Sequence, residues 1–261
     1  MEFSSTIING VLFLSEKKNS FSNAYVILRE KEGRILSDEE IKNLPIPSER
    51  NSHASEWKLR MKSTQRIITY LKQKKQELKI VDIGCGNGWF SYHLSSIKNS
   101  SVDAVDINDT ELEQAARIFS KDGLRFIYAD IFESASHFKN KYDIITLNAS
   151  VQYFNDFDAL LSLLKEFLKP TGEIHIIDSP FYTPSQIKAA KQRTASYYAS
   201  MEASEMSEHY FHHSEEKIKA FDVLYKPYPP IIRKLFKIKD IPFLWLRIKK
   251  QKMNESSIHA L

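Results

Sequence analysis

The sequence contains a single cysteine, Cys85, and no hydrophobic run long enough to cross a membrane. One cysteine cannot form a disulfide within the chain, which excludes a disulfide-stabilised scaffold and fits a reducing compartment. The most apolar late stretch, residues 241–248, is less than half of the ~20 residues that a membrane-spanning helix needs. Residues 7–14 are apolar but lack the preceding basic residues of a signal peptide. We therefore expect a soluble, cytoplasmic protein.

Internal repeats and low-complexity segments are also missing, which excludes solenoids and propellers. Hydrophobic residues make up 42% and charged residues 27% of the 261 residues, a composition that excludes a fully disordered chain. The length suits one elaborated α/β domain with a large core.

The formal net charge of +4 conceals an asymmetry along the chain. Residues 226–252 hold nine Lys or Arg residues against one acid, Asp240, so any attraction for anions belongs to this basic C-terminal segment. Apolar and cationic residues alternate over residues 231–250, which suits a membrane surface or a lipid-linked acceptor. A solvated protein face explains the same pattern, and we prefer that explanation because charge runs usually lie in solvent.

Residues 1–78 are mostly helical in pattern and predict an N-terminal helical lid. Residues 21–32 and 56–78 are amphipathic, and a capping box at Ser37 opens a short helix between them.

From residue 79 onward, short β-branched runs alternate with helical stretches, as expected of a parallel sheet with crossover helices. Two late strands, at residues 221–225 and 243–248, would complete a seven-stranded sheet, and residues 180–220 form a largely helical insertion. We predict an α/β fold with a doubly wound, mostly parallel, Rossmann-like sheet in a domain over residues 79–261. The five preceding strands are predicted at residues 79–83, 101–106, 125–129, 142–147 and 172–178.

Three glycines, Gly84, Gly86 and Gly88, follow the first sheet strand within five residues. Bare backbone at a turn into a helix lets a ligand approach closely, and we see no packing reason for three glycines there. The dinucleotide fingerprint needs its third glycine where Trp89 stands, so NAD and FAD are disfavoured. A Walker lysine is absent as well.

The motif V-D-I-G-C-G-N-G at residues 81–88 resembles the first motif of class I S-adenosylmethionine-dependent methyltransferases of the small-molecule type. The resemblance covers about residues 80–178 and includes V-D-A-V-D-I at residues 102–107 and Y-A-D-I at residues 128–131. It implies S-adenosyl-L-methionine as the cofactor. It further implies a site that consists of Asp82 beneath the methionine moiety, the turn residues Gly84, Cys85, Gly86 and Gly88, Asp106 on the ribose hydroxyls, Asp130 on the adenine amine, Ile107 and Ile131 around the ring, Asn148 after the fourth strand, and Arg60 on the cofactor carboxylate.

Loops after the fourth and fifth strands are expected to contact the methyl acceptor through Gln152, Tyr153, Ser179, Phe181 and Tyr182. A base is needed only if the acceptor keeps its proton, and Tyr153, His212 and His213 are our candidates for catalysis. His209 to His213 with nearby glutamates match no strong zinc signature, so we predict no metal.

These observations favour methyl transfer to a small molecule, more at oxygen than at nitrogen or carbon. The motif Asn-Pro-Pro-Tyr of amine-methylating nucleic-acid enzymes is absent after Asn148. Two alternatives stay open: an RNA or DNA methyltransferase that uses the basic C-terminal segment, and a catalytically silent cofactor-binding partner subunit. The sequence names neither the acceptor nor the oligomeric state, and it allows at most peripheral contact with a membrane.

Overall fold

The computed structural model describes residues 5–48 and 50–251, without the side chains of residues 19–22. One nine-stranded sheet runs through this part of the chain in the order β1-β2-β5-β4-β3-β6-β7-β9-β8. Its strands are β1 Thr6–Ile8, β2 Val11–Phe13, β3 Leu78–Ile83, β4 Ser100–Asp106, β5 Leu124–Tyr128, β6 Tyr142–Asn148, β7 Leu168–Ile177, β8 Asp222–Tyr225 and β9 Trp245–Lys249.

Seven neighbouring strands of this sheet, in the order β5-β4-β3-β6-β7-β9-β8, form the sheet that the sequence predicted. The central strands β5, β4, β3, β6 and β7 are parallel, whereas β9 pairs antiparallel with both β7 and β8. The late strands predicted around residues 221–225 and 243–248 are confirmed. Because parallel strands end at the same edge, their carboxyl ends bring the loops after β3, β4, β5, β6 and β7 together.

The prediction that the N-terminal segment is mostly helical was wrong for its first residues. β1 and β2 form a hairpin that extends the sheet, since β2 pairs in parallel with β5. The turn is Asn9-Gly10, and both residues have the positive φ angles, 50° and 82°, that a tight hairpin requires. Val11 and Phe13 are buried on one face, which anchors the hairpin to the core.

Helices cover both faces of the sheet. Successive residues of β3 point to opposite faces, so Ile80 joins one apolar cluster and Val81 joins the other. The helices are α1 Asn19–Lys31, α2 Asp38–Lys42, α3 Ala54–Lys72, α4 Trp89–Leu94, α5 Asp109–Ile118, α6 Phe157–Phe167, α7 Pro184–Ser200 and α8 Pro230–Leu235. The predicted capping box at Ser37 is present at the start of α2.

The N-terminal helices differ in where they pack. α3 buries Trp57, Ile67 and Leu71 in the main core beside α4. α1 instead packs against the region after α7, where Leu28, Tyr198 and other residues form a small third cluster. No helix among the described residues is both long and apolar enough to span a bilayer.

Candidate functional site

A cavity of about 360 Å³ lies at the carboxyl ends of β3, β4 and β5. Six of the residues that the sequence predicted to bind the cofactor line its wall, although they come from three separate loops. These are Gly84, Gly86, Asp106, Ile107, Asp130 and Ile131. The carboxyl-end rule for parallel sheets therefore located this first cavity correctly.

Asp106 ties the glycine turn to the end of β4. Its Oδ2 accepts the Gly86 N–H at 2.8 Å, and its Oδ1 accepts the N–H groups of Ile107 and Asn108 at 2.7 and 2.9 Å. Burial raises the pKa of Asp106, while these three bonds oppose the rise. Oδ2 has one backbone donor and keeps acceptor capacity for a ligand in the first cavity.

Glu111 of α5 is a second acid at this place, and the sequence reasoning missed it. Its carboxylate reaches the turn, since a Cβ built on Gly86 would lie 3.3 Å from its Oε2. Burial first, and then the charge of Asp106, raise the pKa of Glu111 to about 7. Two neighbouring carboxylates therefore stand beside the glycine turn in the first cavity, where the sequence had placed Asp106 alone.

Asp130 is held by protein groups. Its Oδ2 forms an ion pair with Lys18 at 2.5 Å, and its Oδ1 accepts the Phe132 N–H at 2.9 Å in the turn after β5. In this structure the carboxylate therefore stabilises the turn after β5 and pairs with Lys18. A contact from Oδ2 to an adenine amine would have to be shared with Lys18, so the role expected of Asp130 stays a prediction.

A second cavity, of about 780 Å³, adjoins the first and lies between α1, α3, α7 and the ends of β3, β6 and β7. Three of its lining residues have a buried oxygen without a hydrogen-bond partner among the described groups: Asn148 Oδ1, Gln152 Oε1 and Asp178 Oδ1. All three are acceptors, and each costs about 1 to 3 kcal/mol when left unpaired. The second cavity therefore suits a ligand that donates several hydrogen bonds, such as one with an ammonium or hydroxyl group.

Arg60 and Cys85, two residues predicted to contact the cofactor, line this second cavity. Arg60 forms an ion pair with Glu56 at 2.9 Å, and its guanidinium lies over the Trp57 ring at 5.4 Å from the centroid. Although burial opposes the change, Arg34 and Arg60 lower the pKa of Glu56 to about 2. Arg60 is thus held in place at the cavity wall.

Two of the three glycines are required by packing, contrary to our expectation. A Cβ on Gly84 would lie 2.5 Å from the Ser150 Cβ, and one on Gly88 would lie 2.5 Å from the Phe126 ring. Gly88 lines neither cavity, so its position does not support the predicted ligand contact. Gly84 and Gly86 both line the two cavities, but only at Gly86 would an added Cβ meet nothing closer than the flexible end of Glu111.

His212 and His213, predicted as candidate bases, line neither cavity. His212 Nε2 lies 2.9 Å from the Thr194 hydroxyl, and His213 Nε2 lies 3.2 Å from the Val151 carbonyl oxygen. Burial lowers the pKa of both rings. These positions correct the prediction: both histidines hold the segment after α7 in place and do not reach the ligand space.

Tyr153, predicted as a candidate for catalysis, lines both cavities. Its hydroxyl accepts a hydrogen bond from Arg29 of α1 at 3.0 Å, and the Arg29 guanidinium lies over the Tyr25 ring at 4.6 Å from the centroid. Ser179, Phe181 and Tyr182 line a third cavity, of about 400 Å³, which adjoins the second because both are lined by Pro180, Arg193, Pro242 and Phe243.

Several cavity residues escaped the sequence reasoning: Tyr25, Arg29, Glu111, Asp178 and His209. Asp178 could have been found, because it follows the fifth parallel strand, β7, at the functional edge of the sheet. Its φ of 52° is unusual for a residue other than glycine and marks the same place. Arg29 carried no such signal, because its contact with Tyr153 joins residues 124 positions apart.

Asp82 lies buried beneath the glycine turn and lines neither cavity. Its carboxylate accepts hydrogen bonds from the Ser91 hydroxyl at 2.6 Å and the Thr146 hydroxyl at 2.8 Å. Burial raises the pKa of Asp82 to about 6 in spite of these two bonds. The protein thus keeps a costly buried charge directly below the site.

Replacing Asp82 by asparagine is expected to stabilise the ligand-free protein at pH 7.5. An unfolded aspartate has a pKa near 3.9, so the folded state holds its proton more tightly. Wild-type stability should therefore fall as the pH rises from about 4 to about 6, by up to about 3 kcal/mol. Thermal denaturation at pH 4 and pH 7.5 measures this, and the gain in the variant should appear only at the higher pH.

The same substitution at Asp103 is the control. Asp103 is also buried, but it forms an ion pair with Arg125 at 2.7 Å and accepts the Tyr142 hydroxyl at 2.7 Å. Asp103→Asn should therefore destabilise the protein at pH 7.5. A loss of stability in Asp82→Asn at that pH would contradict the inference that burial makes the Asp82 charge unfavourable in the ligand-free protein.

Residues 74–219, more than half of the chain, match a family profile described as a methyltransferase domain. Among curated relatives, the malonyl-[acyl-carrier protein] O-methyltransferase of Halalkalibacterium halodurans is 32% identical over 120 residues, which cover 42% of this chain and 44% of the relative. Malonyl-[acyl-carrier protein] O-methyltransferase 2 of Ilyobacter polytropus is 35% identical over 111 residues, which cover 42% of each chain. The chain thus spans less than half the length of these relatives.

Solved structures share the fold. A putative sarcosine dimethylglycine methyltransferase from Galdieria sulphuraria superposes with a TM-score of 0.55 at 12% identity over 87% of this chain and 98% of that one. Geranyl diphosphate C-methyltransferase from Streptomyces coelicolor, solved with S-adenosyl-L-homocysteine, superposes with a TM-score of 0.55 at 14% identity. The match covers 78% of this chain and 82% of that one. At these identities the likeness concerns the fold alone, whereas the profile match identifies the family. The protein belongs to the class I S-adenosylmethionine-dependent methyltransferase domains.

Proposed function

We propose that the protein transfers a methyl group from S-adenosyl-L-methionine to an oxygen atom of a small-molecule acceptor. The observation that carries the proposal is the pair of adjoining cavities, which share Gly86, Glu111 and Tyr153 in their walls. A donor in one cavity and an acceptor in the other would meet at these residues. The free, buried Cys85 supports a cytoplasmic location.

The first cavity fits the nucleoside part of the cofactor. Asp106 and Glu111 would accept hydrogen bonds from the two ribose hydroxyls, and Ile107 and Ile131 would contact the apolar faces of the ring. The cofactor supplies an electrophilic methyl group on a sulfonium centre.

The methionine part would extend into the second cavity. Arg60 would pair with its carboxylate, and the unpaired Asn148 Oδ1 would accept from its ammonium group. The buried charge of Asp82 below the turn would favour that same cation, which gives a reason for keeping it there.

For a hydroxyl acceptor, Asp178 is the group that we propose to take the proton. Ser63 donates to its Oδ2 at 2.7 Å, which leaves the unpaired Oδ1 for a ligand in the second cavity. Burial raises the pKa of Asp178 to about 6, and the charges of Arg60 and Arg66 oppose this rise. At neutral pH the carboxylate is therefore ionised and still basic enough to take a proton.

A carboxylate acceptor is the second candidate, and it would need no base. The relatives are named for malonyl-[acyl-carrier protein], and Arg29 and Arg193 in the wall of the second cavity would suit an anionic group. The two classes differ in their products, because a methyl ester is cleaved by mild alkali and a methyl ether is not.

The test is a transfer assay with methyl-labelled S-adenosyl-L-methionine and a fractionated metabolite extract. For an alkali-stable product, Asp178→Asn should lower kcat by about 100-fold or more. The wild-type kcat should fall as the pH drops below about 6, because Asp178 then becomes protonated. The kcat of Asp178→Asn should not show this fall at low pH. Affinity for S-adenosyl-L-homocysteine should not change.

Asp143→Asn serves as the control, since Asp143 pairs with Lys169 at 2.8 Å and lines neither cavity. An unchanged kcat and pH profile in Asp178→Asn would remove the proposed base. Label that enters only RNA or DNA would overturn the small-molecule acceptor.

A further inference from the structure

The short helix α8 presents large apolar side chains to solvent. Ile231, Leu235 and Phe236 are 81%, 73% and 68% exposed, and Tyr228 just before the helix is 57% exposed. Ile231 and Leu235 are four residues apart and so share one face of the helix. Soluble proteins seldom cluster several large apolar groups at such exposure unless the patch contacts another surface. These four residues form the α8 patch.

Four lysines lie close to the α8 patch in the chain. Lys226, Lys234, Lys237 and Lys239 are all exposed, and none of them has an ion-pair partner within the described part of the chain. The nearby acid, Asp240, is already engaged by Arg66. The surface therefore combines protruding apolar groups with positive charge that nothing within the described residues neutralises.

We propose that the α8 patch docks on an anionic phospholipid membrane. Its apolar side chains are largely exposed and line none of the cavities described above, which suits insertion into the boundary between headgroups and acyl chains. The four lysines suit the negative potential of such a surface. An acidic protein would match the charge, but it would leave the protruding side chains without a deep apolar environment.

The α8 patch is connected to the active site by a short piece of chain. Ile241 and Phe243 line the second cavity, and Ile241 follows Phe236 by only five residues, at most about 18 Å of extended chain. Docking through α8 would therefore place the wall of the second cavity near the bilayer surface. An acceptor with an apolar chain could enter from there. The docking itself does not depend on the proposed function.

The test is co-sedimentation of the full-length protein with vesicles. Vesicles of phosphatidylcholine with about one third phosphatidylglycerol should bind the protein at low salt, and pure phosphatidylcholine vesicles should bind much less. Lys234→Gln, Lys237→Gln and Lys239→Gln together should reduce binding to anionic vesicles by roughly 100-fold. A second variant, Ile231→Ser with Leu235→Ser and Phe236→Ser, should reduce this binding at least tenfold without any change of charge.

Matched controls change the same residue types on other surfaces. Serine replaces Ile7, Ile35 and Ile46, which are also exposed, and glutamine replaces Lys42, Lys98 and Lys188. Both controls should bind vesicles like the wild type, and all variants should retain their affinity for S-adenosyl-L-homocysteine. Equal binding to neutral and anionic vesicles, or none to either, would overturn the proposal. So would tight, salt-sensitive RNA binding that the lysine variant loses while vesicle binding is unaffected.

Discussion

Asp106→Ala is expected to weaken binding of S-adenosyl-L-homocysteine by about 10- to 100-fold. Removal of the carboxylate leaves a buried ligand hydroxyl unpaired, at roughly 1 to 3 kcal/mol. It also frees the Gly86 N–H that Oδ2 now holds at 2.8 Å, so the turn loses its link to β4. Isothermal titration calorimetry at pH 7.5 measures the change in dissociation constant.

Two further variants separate ligand contact from support of the turn. Glu111→Ala removes a carboxylate that faces the first cavity. This carboxylate accepts a hydrogen bond from the Asn108 side chain and none from the glycine turn, so the effect of the variant should come mainly from the lost ligand contact. Asp109→Ala is the control, because Asp109 pairs with Lys17 at 2.6 Å outside both cavities. Unchanged affinity in both Asp106→Ala and Glu111→Ala would remove the ribose site from the first cavity.

Valine substitutions at two glycines of one turn should have different consequences, one for cofactor binding and the other for the stability of the fold. Gly86→Val should abolish measurable cofactor binding while the protein stays folded, because the new side chain would occupy the ligand space beside the flexible end of Glu111. The positive φ of 53° adds a strain of about 1 to 2 kcal/mol. Calorimetry and circular dichroism on the same sample test both statements.

Gly88→Val should act on the fold. The added Cβ would lie 2.5 Å from the Phe126 ring and 2.9 Å from the Ala115 Cβ, and neither group can move without disturbing the core. A cost of about 3 kcal/mol would lower the Tm by about 6 to 12 °C for a domain of this size. Equal loss of stability in both variants would contradict the different roles that the structure assigns to them.

Much of the sheet and of its functional edge followed from short-range patterns. Alternating runs of β-branched and helical residues predicted all seven strands from β3 to β9. Parallel strands end at one edge, so Asp106 at the end of β4 and Ile131 in the loop after β5 line the same cavity as Gly86. The roles of these side chains were implied by the family resemblance and not by the edge rule. The Asn9-Gly10 pair is likewise a local hairpin-turn signal, and its positive φ angles fit that turn.

The choice among chemically similar residues was made by tertiary packing. His212 and His213 have the chemistry of a general base, but the chain after α7 turns them into the interior, while Asp178 and Glu111 reach the cavities. Arg29 meets Tyr153 only because α1 folds over the end of β6.

The sequence by itself determined where the central strands end and that they run in parallel, because strand positions and their alternation with helices depend on patterns a few residues long. Only the tertiary structure decided which side chains in the loops after these strands face the ligand. That outcome depends on the burial of particular atoms and on contacts between residues far apart in the chain, as between Arg29 and Tyr153, and local patterns carry no information about either.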